Sequence, residues 1–395
     1  MKFAMFAASC AFAAGLLAGT AAAQDSAPSC RPTGAFAQPD YTSVEPLADG
    51  RVTFRLCAPD ADAVKLVSND VEGAIPTGFA PGTARGLDMQ RDASGLWSVT
   101  TPLPIAPDTH RYWFEIDGAR VPDPMASTFS RERTGIASTF EVAGDAGAFQ
   151  AWDKDVPHGA VSRVEYWSGA IGAPREAYIY TPPGYMNGTG DYPVLYLVHG
   201  AGDSAQSWST VGRANVILDN LIAAGEAVPM IVVMPFGHTP ALQGQAMLTN
   251  AAFGEDLKRD LIPYVDANFR TRASAQDRAM AGLSMGGAHT LRFGLPDSET
   301  FAYIGVFSMG LGLNGPDDIA AYEAQNAAGL ARSKNNLDLV YYAMGTDDFL
   351  YGSVAPTRAM LDRQGIEHVY NESAGGHTWI NWRRYLADFA PRLFR

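Results

Sequence analysis

The chain has 395 residues, with 29 Lys and Arg against 42 Asp and Glu for a formal charge of −13, and 47% of its residues are apolar. That length allows two or three domains with a large core, and a charged fraction of 18% with 11% aromatics argues against a disordered or coiled-coil chain. An acidic chain with no Lys/Arg-rich run argues against binding nucleic acid or an anionic membrane surface, so a neutral or weakly charged partner is expected.

Lys2 precedes an apolar stretch from Phe3 to Leu17, broken near its end by Gly15 and Gly19 and closed by Ala21-Ala22-Ala23. This reads as an export signal over residues 1–23, too short for a transmembrane anchor. The mature protein is expected to be soluble and periplasmic or secreted. Cys10 leaves with the signal, and the two remaining thiols, Cys30 and Cys57, predict one disulfide in an oxidising compartment.

Residues 24–149 have the texture of a small all-β unit, in which short apolar alternations are separated by turns such as Asp49-Gly50 and Asp117-Gly118. Val52, Phe54 and Leu56 share one face of a strand, and Tyr112, Phe114 and Ile116 share a face of another, as half-buried antiparallel strands in a sandwich require. Trp113 falls on the opposite face; packing under a loop or neighbouring domain is the expected role, and stacking on a sugar ring the alternative. A linker is expected near Gly144 to Trp152.

From residue 150 to 395 strands and helices alternate. Tyr192 to His199 and Pro229 to Phe236 are continuous apolar runs, as in strands buried on both faces of a parallel sheet. Further strands are predicted at Arg278 to Leu283, Tyr303 to Phe307, Leu339 to Met344 and His368 to Asn371. Helices are predicted at Val211 to Ala224, stopped by Gly225, through Phe253, Leu257, Leu261 and Val265, and at Pro356 to Arg363. The pattern is that of a doubly wound α/β domain.

Gly282-Leu283-Ser284-Met285-Gly286-Gly287 lies where a predicted strand meets a predicted helix, the context of a nucleophile elbow. Its glycines leave room for a strained turn that exposes the serine. A serine hydroxyl needs a histidine base, and the base needs an acid. His289 points away from Ser284, His110 and His158 precede the first predicted strand of the α/β domain, His238 precedes the serine, and His368 lies in the last strand. His377, in the Gly-rich loop Gly375-Gly376-His377-Thr378-Trp379 after that strand, is the expected base. The acid is expected after the strand Leu339 to Met344, where Asp347 and Asp348 adjoin, with Glu372 a third option; spacing does not choose between the first two. Two N–H groups must meet the oxyanion: Met285, after the nucleophile, and Ala201, in the turn Val198-His199-Gly200-Ala201-Gly202, whose His199 is expected to order the turn. No phosphate loop or metal-ligand spacing is present in the sequence, and the chemistry needs no cofactor.

These residues make the segment Val161 to Arg395 resemble carbohydrate esterase family one, the α/β-hydrolase branch that contains feruloyl and acetylxylan esterases. The marks are Thr181-Pro182-Pro183-Gly184-Tyr185, Leu197-Val198-His199-Gly200, Pro229 to Pro235, Ala281 to Gly287 and Gly375 to Trp379. The resemblance implies an α/β-hydrolase fold, Asp348 as the acid, and an acylated plant polysaccharide or oligosaccharide as substrate. The β unit resembles the early-set immunoglobulin-like domain that often precedes such esterases. Enterobactin-type siderophore esterases are also similar and give the first alternative; an inactive glycan-binding protein and a mycolyltransferase-like acyl transferase are the others. Trp208, Phe236, Phe349, Tyr351 and Trp379 supply aromatics around the expected site, which favours a hydroxycinnamoyl group over acetyl.

Overall fold

The computed structural model describes residues 29–395 apart from 35, 72, 79–81, 240–244 and 314; the expected export signal lies outside the described residues. The N-terminal part is all β: β1 (Val44–Pro46), β2 (Val52–Cys57), β3 (Val64–Val67), β4 (Leu87–Asp88), β5 (Gln90–Arg91), β6 (Leu96–Thr100), β7 (Thr109–Ile116), β8 (Ala119–Val121), β9 (Phe129–Glu132) and β10 (Gly135–Glu141). These form two sheets, in the orders β1-β2-β6-β5 and β4-β3-β7-β10-β9, with β8 paired to β7. Val52, Phe54 and Leu56 of the first sheet meet Tyr112, Phe114 and Phe140 of the second in one buried cluster, so the period-two alternation of β2 and β7 becomes the sandwich core. Cys30 and Cys57 are disulfide-bonded with 5.6 Å between their Cα atoms, which ties the N-terminal segment to the end of β2.

Trp113 is 1% exposed, packed against Val67 and Ala137 with the Arg120 guanidinium 3.9 Å from its ring centroid. It offers no surface for sugar stacking. The segment expected as a linker contains a short 3-10 helix, Asp145–Gln150, and is docked. Asn220 donates to the Phe149 and Ala151 carbonyls at 3.0 and 3.1 Å, and buried Gln150 donates to Asp108 at 2.9 Å.

The rest of the chain builds one eight-stranded sheet from β11 (Ala160–Ser168), β12 (Ala173–Thr181), β13 (Val194–Val198), β14 (Ile231–Pro235), β15 (Arg278–Leu283), β16 (Tyr303–Phe307), β17 (Leu339–Gly345) and β18 (Val369–Ser373). Their order is β11-β12-β14-β13-β15-β16-β17-β18; β11, β12 and β14 pair antiparallel, and the pairs from β14 through β18 are parallel. The apolar runs of β13 and β14 are buried along their whole length because helices cover both faces. Helix α1 (Ala214–Ala223) ends at Ala224 with Gly225 at φ +73°, the left-handed position glycine occupies without strain. Then follow α2 (Gln245–Thr249), α3 (Ala251–Asp256), a π turn at Leu257–Leu261, α4 (Ile262–Asn268), α5 (Met285–His289), α6 (Pro316–Asn336), α7 (Val354–Gln364) and α8 (Trp379–Phe389). Residues of α1 and α8 pack on one face of the sheet, and those of α3, α4, α6 and α7 on the other. The chain leaves β13 for β14 on one side and returns to β15 on the other, so the strand order reverses at β13, where α/β sheets open a crevice at their carboxyl ends.

Candidate active site

Ser284 sits between β15 and α5 with φ +51° and ψ −115°, a conformation an L-residue holds only when its surroundings force it. The surroundings are close backbones. A Cβ on Gly282 would run into the Gly286 backbone, and one on Gly286 into the Val198 carbonyl. The glycines therefore let β15, the turn and α5 approach within backbone contact, and the serine stands at the helix N-terminus.

His377 lies in the loop from β18 to α8. Its Nδ1 is 2.9 and 3.1 Å from the two carboxylate oxygens of Asp348, whose side chain is fully buried. Asp348 follows β17 and is itself held by the Leu350 N–H at 2.9 Å. Asp347 points elsewhere: its Oδ2 accepts the Gly375 N–H at 3.2 Å and its own N–H donates to the Gly375 carbonyl at 3.1 Å, so it braces the histidine loop. Glu372 accepts from the Tyr351 and Tyr370 hydroxyls and makes no bond to His377. The serine, acid and histidine follow β15, β17 and β18 at one edge of the sheet. Among the described residues no direct hydrogen bond joins Ser284 to His377.

The turn after β13 lies against the serine. A Cβ on Gly200 would stand 3.6 Å from the Ser284 Cβ and 2.6 Å from Leu283. The Gly200 carbonyl accepts from His199 Nδ1–H at 2.7 Å and from the Asp203 N–H at 3.1 Å, and His199 Nε2 accepts the Gly237 N–H at 2.9 Å. Burial pushes the His199 imidazole down to about 3, so it stays neutral and keeps this donor and acceptor pattern. Because the peptide is trans, a Gly200 carbonyl turned toward His199 sends the Ala201 N–H the opposite way. Met285 is the first residue of α5, where a helix leaves its N–H groups without internal acceptors.

The expected aromatic group is only partly at the surface. Trp208 and Trp379 are fully buried, packed edge to face with ring centroids 5.1 Å apart, and they are core residues with no surface for a ligand. Phe349, 77% exposed, has its ring centroid 4.6 Å from that of His377. Phe236 is half-buried and lines a cleft of about 440 Å³ together with His238, Arg175, Arg163 and, from the β unit, Arg131 and Arg133.

Sequence reasoning missed several residues that position the site. Asn381, buried in α8, donates to the Ala374 and Gly376 carbonyls at 3.1 and 3.0 Å and so staples the histidine loop. His238 Nε2 lies 3.2 Å from the Asp203 carbonyl. No spacing rule marks Asn381, whose one available signal is a polar side chain inside an apolar helical stripe; His238 is set aside as a base by chain order, and nothing in the sequence shows its bond to the turn. The other histidines are occupied: His289 stacks on Phe253, and His158 bonds Asp219 at 3.0 Å.

Among known proteins, an endo-1,4-beta-xylanase/feruloyl esterase of Xylanibacter ruminicola is 34% identical over 358 residues, 88% of this chain and 45% of that protein. The chain thus spans less than half the length of that relative. A ferulic acid esterase of the anaerobic fungus Anaeromyces mucronatus superposes with a TM-score of 0.54 at 19% identity, covering 64% of this chain and 96% of its own. The enterobactin esterase of Shigella flexneri superposes with a TM-score of 0.60 at 17% identity, covering 88% of this chain and 95% of its own. These neighbours are esterases of the α/β-hydrolase type, and they establish the fold. A family model described as Putative esterase matches residues 168–393, more than half of the sequence and the whole of the candidate site, and the chain belongs to that esterase family.

Proposed function

We propose that this protein is a serine ester hydrolase that removes feruloyl groups, or acetyl groups as the finer alternative, from plant cell-wall polysaccharide through an acyl-enzyme. The observation that carries the reading is the buried Asp348 carboxylate gripping His377 Nδ1, at the same sheet edge as a serine held in a strained elbow. In this mechanism His377 Nε2 takes the Ser284 proton as Oγ attacks the ester carbonyl. The Ala201 and Met285 N–H groups receive the oxyanion, and His377 returns the proton to the departing sugar oxygen. Water then repeats the sequence on the acyl-enzyme. Of the two activities in the relative's name, this arrangement serves ester cleavage, since glycoside hydrolysis needs a pair of carboxylates flanking the bond. The leader over residues 1–23 and the Cys30–Cys57 bond accord with export to the periplasm or beyond. The β unit is assigned the role of an immunoglobulin-like companion domain.

Phe349 beside the base and Phe236 in the cleft at the end of β14 support an aromatic acyl group. With Trp208 and Trp379 in the core, a ring resting on Phe349 or Phe236 gains about 1.4 kcal/mol of transfer free energy over acetyl, or roughly tenfold in kcat/KM. A second reading, cleavage of a catecholate trilactone, is favoured by the arginines in the same cleft. Turnover of methyl ferulate, acetylated xylan and a siderophore trilactone by wild type and Ser284→Ala tests both. A tenfold preference for methyl ferulate that vanishes in Ser284→Ala supports the feruloyl reading; preference for the trilactone replaces it, and turnover that survives in Ser284→Ala overturns the mechanism.

A further inference from the structure

We propose that Arg111, a residue of the all-β unit, is a positioning residue for ester cleavage: through the Asp203 carboxylate it fixes the peptide plane that presents the Ala201 N–H. The inference rests on the serine-esterase reading and adds a residue from outside the family-matched segment.

Arg111 lies mid-strand in β7, and its guanidinium is buried where the two parts of the molecule meet. Its Nε and Nη2 fork onto Asp70 at 2.9 and 2.8 Å, and its Nη1 reaches Glu132 at 3.0 Å, both within the β unit. The same Nη1 crosses to Asp203 Oδ1 at 2.9 Å. The second Asp203 oxygen turns back under the turn: a Cβ on Gly200 would stand 3.1 Å from it. Asp203 is therefore a strut: Arg111 holds its carboxylate, and its own N–H donates at 3.1 Å to the Gly200 carbonyl, which shares a peptide plane with the Ala201 N–H. The hairpin carrying Glu132 adds two ties, a backbone one from the Arg133 N–H to the Gly202 carbonyl at 2.9 Å and a side-chain one from Ser204 Oγ–H to the Arg131 carbonyl at 2.8 Å. The guanidinium also stands 5.8 Å over the ring of Trp379, two residues after the candidate base, so one cation faces both sides of the site.

Stability alone does not account for the arrangement. Three buried carboxylates converge on Arg111, of which only Glu132 has a second cation, Arg120, and a buried surplus of negative charge costs more than an apolar replacement of the same volume. Burial pushes the Asp203 carboxyl up to about 6, which records that cost. What the strut supplies is direction: an oxyanion donor works only at the right distance and angle, and its loss or misplacement costs about two to three powers of ten in kcat.

The test uses the full chain and changes the turn side of the pair, because Arg111→Ala leaves Asp70 and Asp203 buried without their cation and risks misfolding. Asp203→Ala is expected to lower kcat about 100-fold with KM within about threefold, and to weaken an arylboronic acid, whose tetrahedral adduct on the serine mimics the oxyanion, by the same factor. Asp203→Asn, which keeps an acceptor for Arg111, is expected to recover most of the loss, to within about tenfold of wild type. A fall in thermal midpoint with kcat and boronate affinity unchanged assigns Asp203 to stability and overturns the proposal. So does a kcat loss without loss of boronate affinity. Turnover that survives Ser284→Ala overturns the esterase mechanism and this proposal with it, whereas Ser284-dependent turnover with unaltered Asp203 variants overturns this proposal alone.

Discussion

Replacing Asp348 by Asn changes charge without changing shape, and the structure says which way the new amide turns. Oδ1 of Asp348 accepts the Leu350 N–H at 2.9 Å, while Oδ2 is the nearer of the two to His377 Nδ1, at 2.9 Å. The single oxygen of Asn is needed by Leu350, because the side chain is fully buried and an unpaired N–H there is costly. The NH2 group therefore faces Nδ1 and forces the imidazole to accept at that nitrogen. Its proton is then carried on Nε2, where the serine needs an acceptor. The expected loss in kcat is about 10³ to 10⁴, or roughly 4 to 5.5 kcal/mol of transition-state stabilisation. Asp347→Asn keeps a neutral acceptor for the exposed Gly375 N–H bond and forfeits about 1 kcal/mol at most, so its turnover should stay within about tenfold of wild type. Steady-state kinetics on methyl ferulate, with thermal midpoints to show both variants folded, decides the matter. If Asp348→Asn keeps a tenth of wild-type turnover, or Asp347→Asn falls as far as Asp348→Asn, the assignment of the acid is refuted.

Two other expectations concern stability. Gly286→Ala places a methyl group on the Val198 carbonyl and 2.9 Å from that of His199, and should cost about 2 kcal/mol or more by urea unfolding, whereas Gly202→Ala, whose new methyl meets nothing within 4 Å, should stay within about 0.5 kcal/mol; equal effects would refute the close-approach argument. Reducing Cys30–Cys57 opens a loop of sequence separation 27 and should lower unfolding free energy by about 3 kcal/mol, and an unchanged urea midpoint with and without reductant would refute that contribution.

The parts of the fold that were legible in the sequence are those where a residue pattern has a single physical solution. The continuous apolar runs at β13 and β14, and the strands at Arg278–Leu283 and Tyr303–Phe307, lie where their hydrophobicity places them, since burial on both faces selects apolar residues; the exception, Arg278 at the start of β15, is paired with Asp266 at 2.6 Å. The elbow was legible because glycine before and after a serine at a strand-to-helix junction has one steric use. Strands β11 and β12 escaped notice because they form the antiparallel edge of the sheet, where Arg163, Glu165 and Glu176 interrupt the apolar sequence without cost. Helix α6 escaped because only Ile319, Tyr322, Gly329, Leu330 and Ser333 of its 21 residues are buried, too narrow a stripe to read against its many alanines. The aromatic slot was misjudged for a related reason: an indole beside a catalytic loop reads the same whether it faces inward or outward, and Trp208 and Trp379 face inward.

The interface between the two parts was the least legible feature, and it bears most directly on the site. Arg111 in β7 and Arg383 in α8 each look, in the sequence, like ordinary surface charges. In the fold Arg383 is fully buried, bonds Asp108 of the β unit at 2.7 Å and donates to the Thr109 carbonyl at 2.8 Å. A charge is held in the interior only when another part of the chain brings its partner, so each of these arginines marks a place where the β unit and the hydrolase sheet are required together. One such place is the turn carrying Ala201 and the other is the helix that begins just after His377. A change of sequence texture near residue 150 divides the chain in two, and charges pair across that boundary. The elements that would carry the oxyanion donor and the base are each clamped from the β side, by Arg111 on Asp203 and by Asp108 on Arg383.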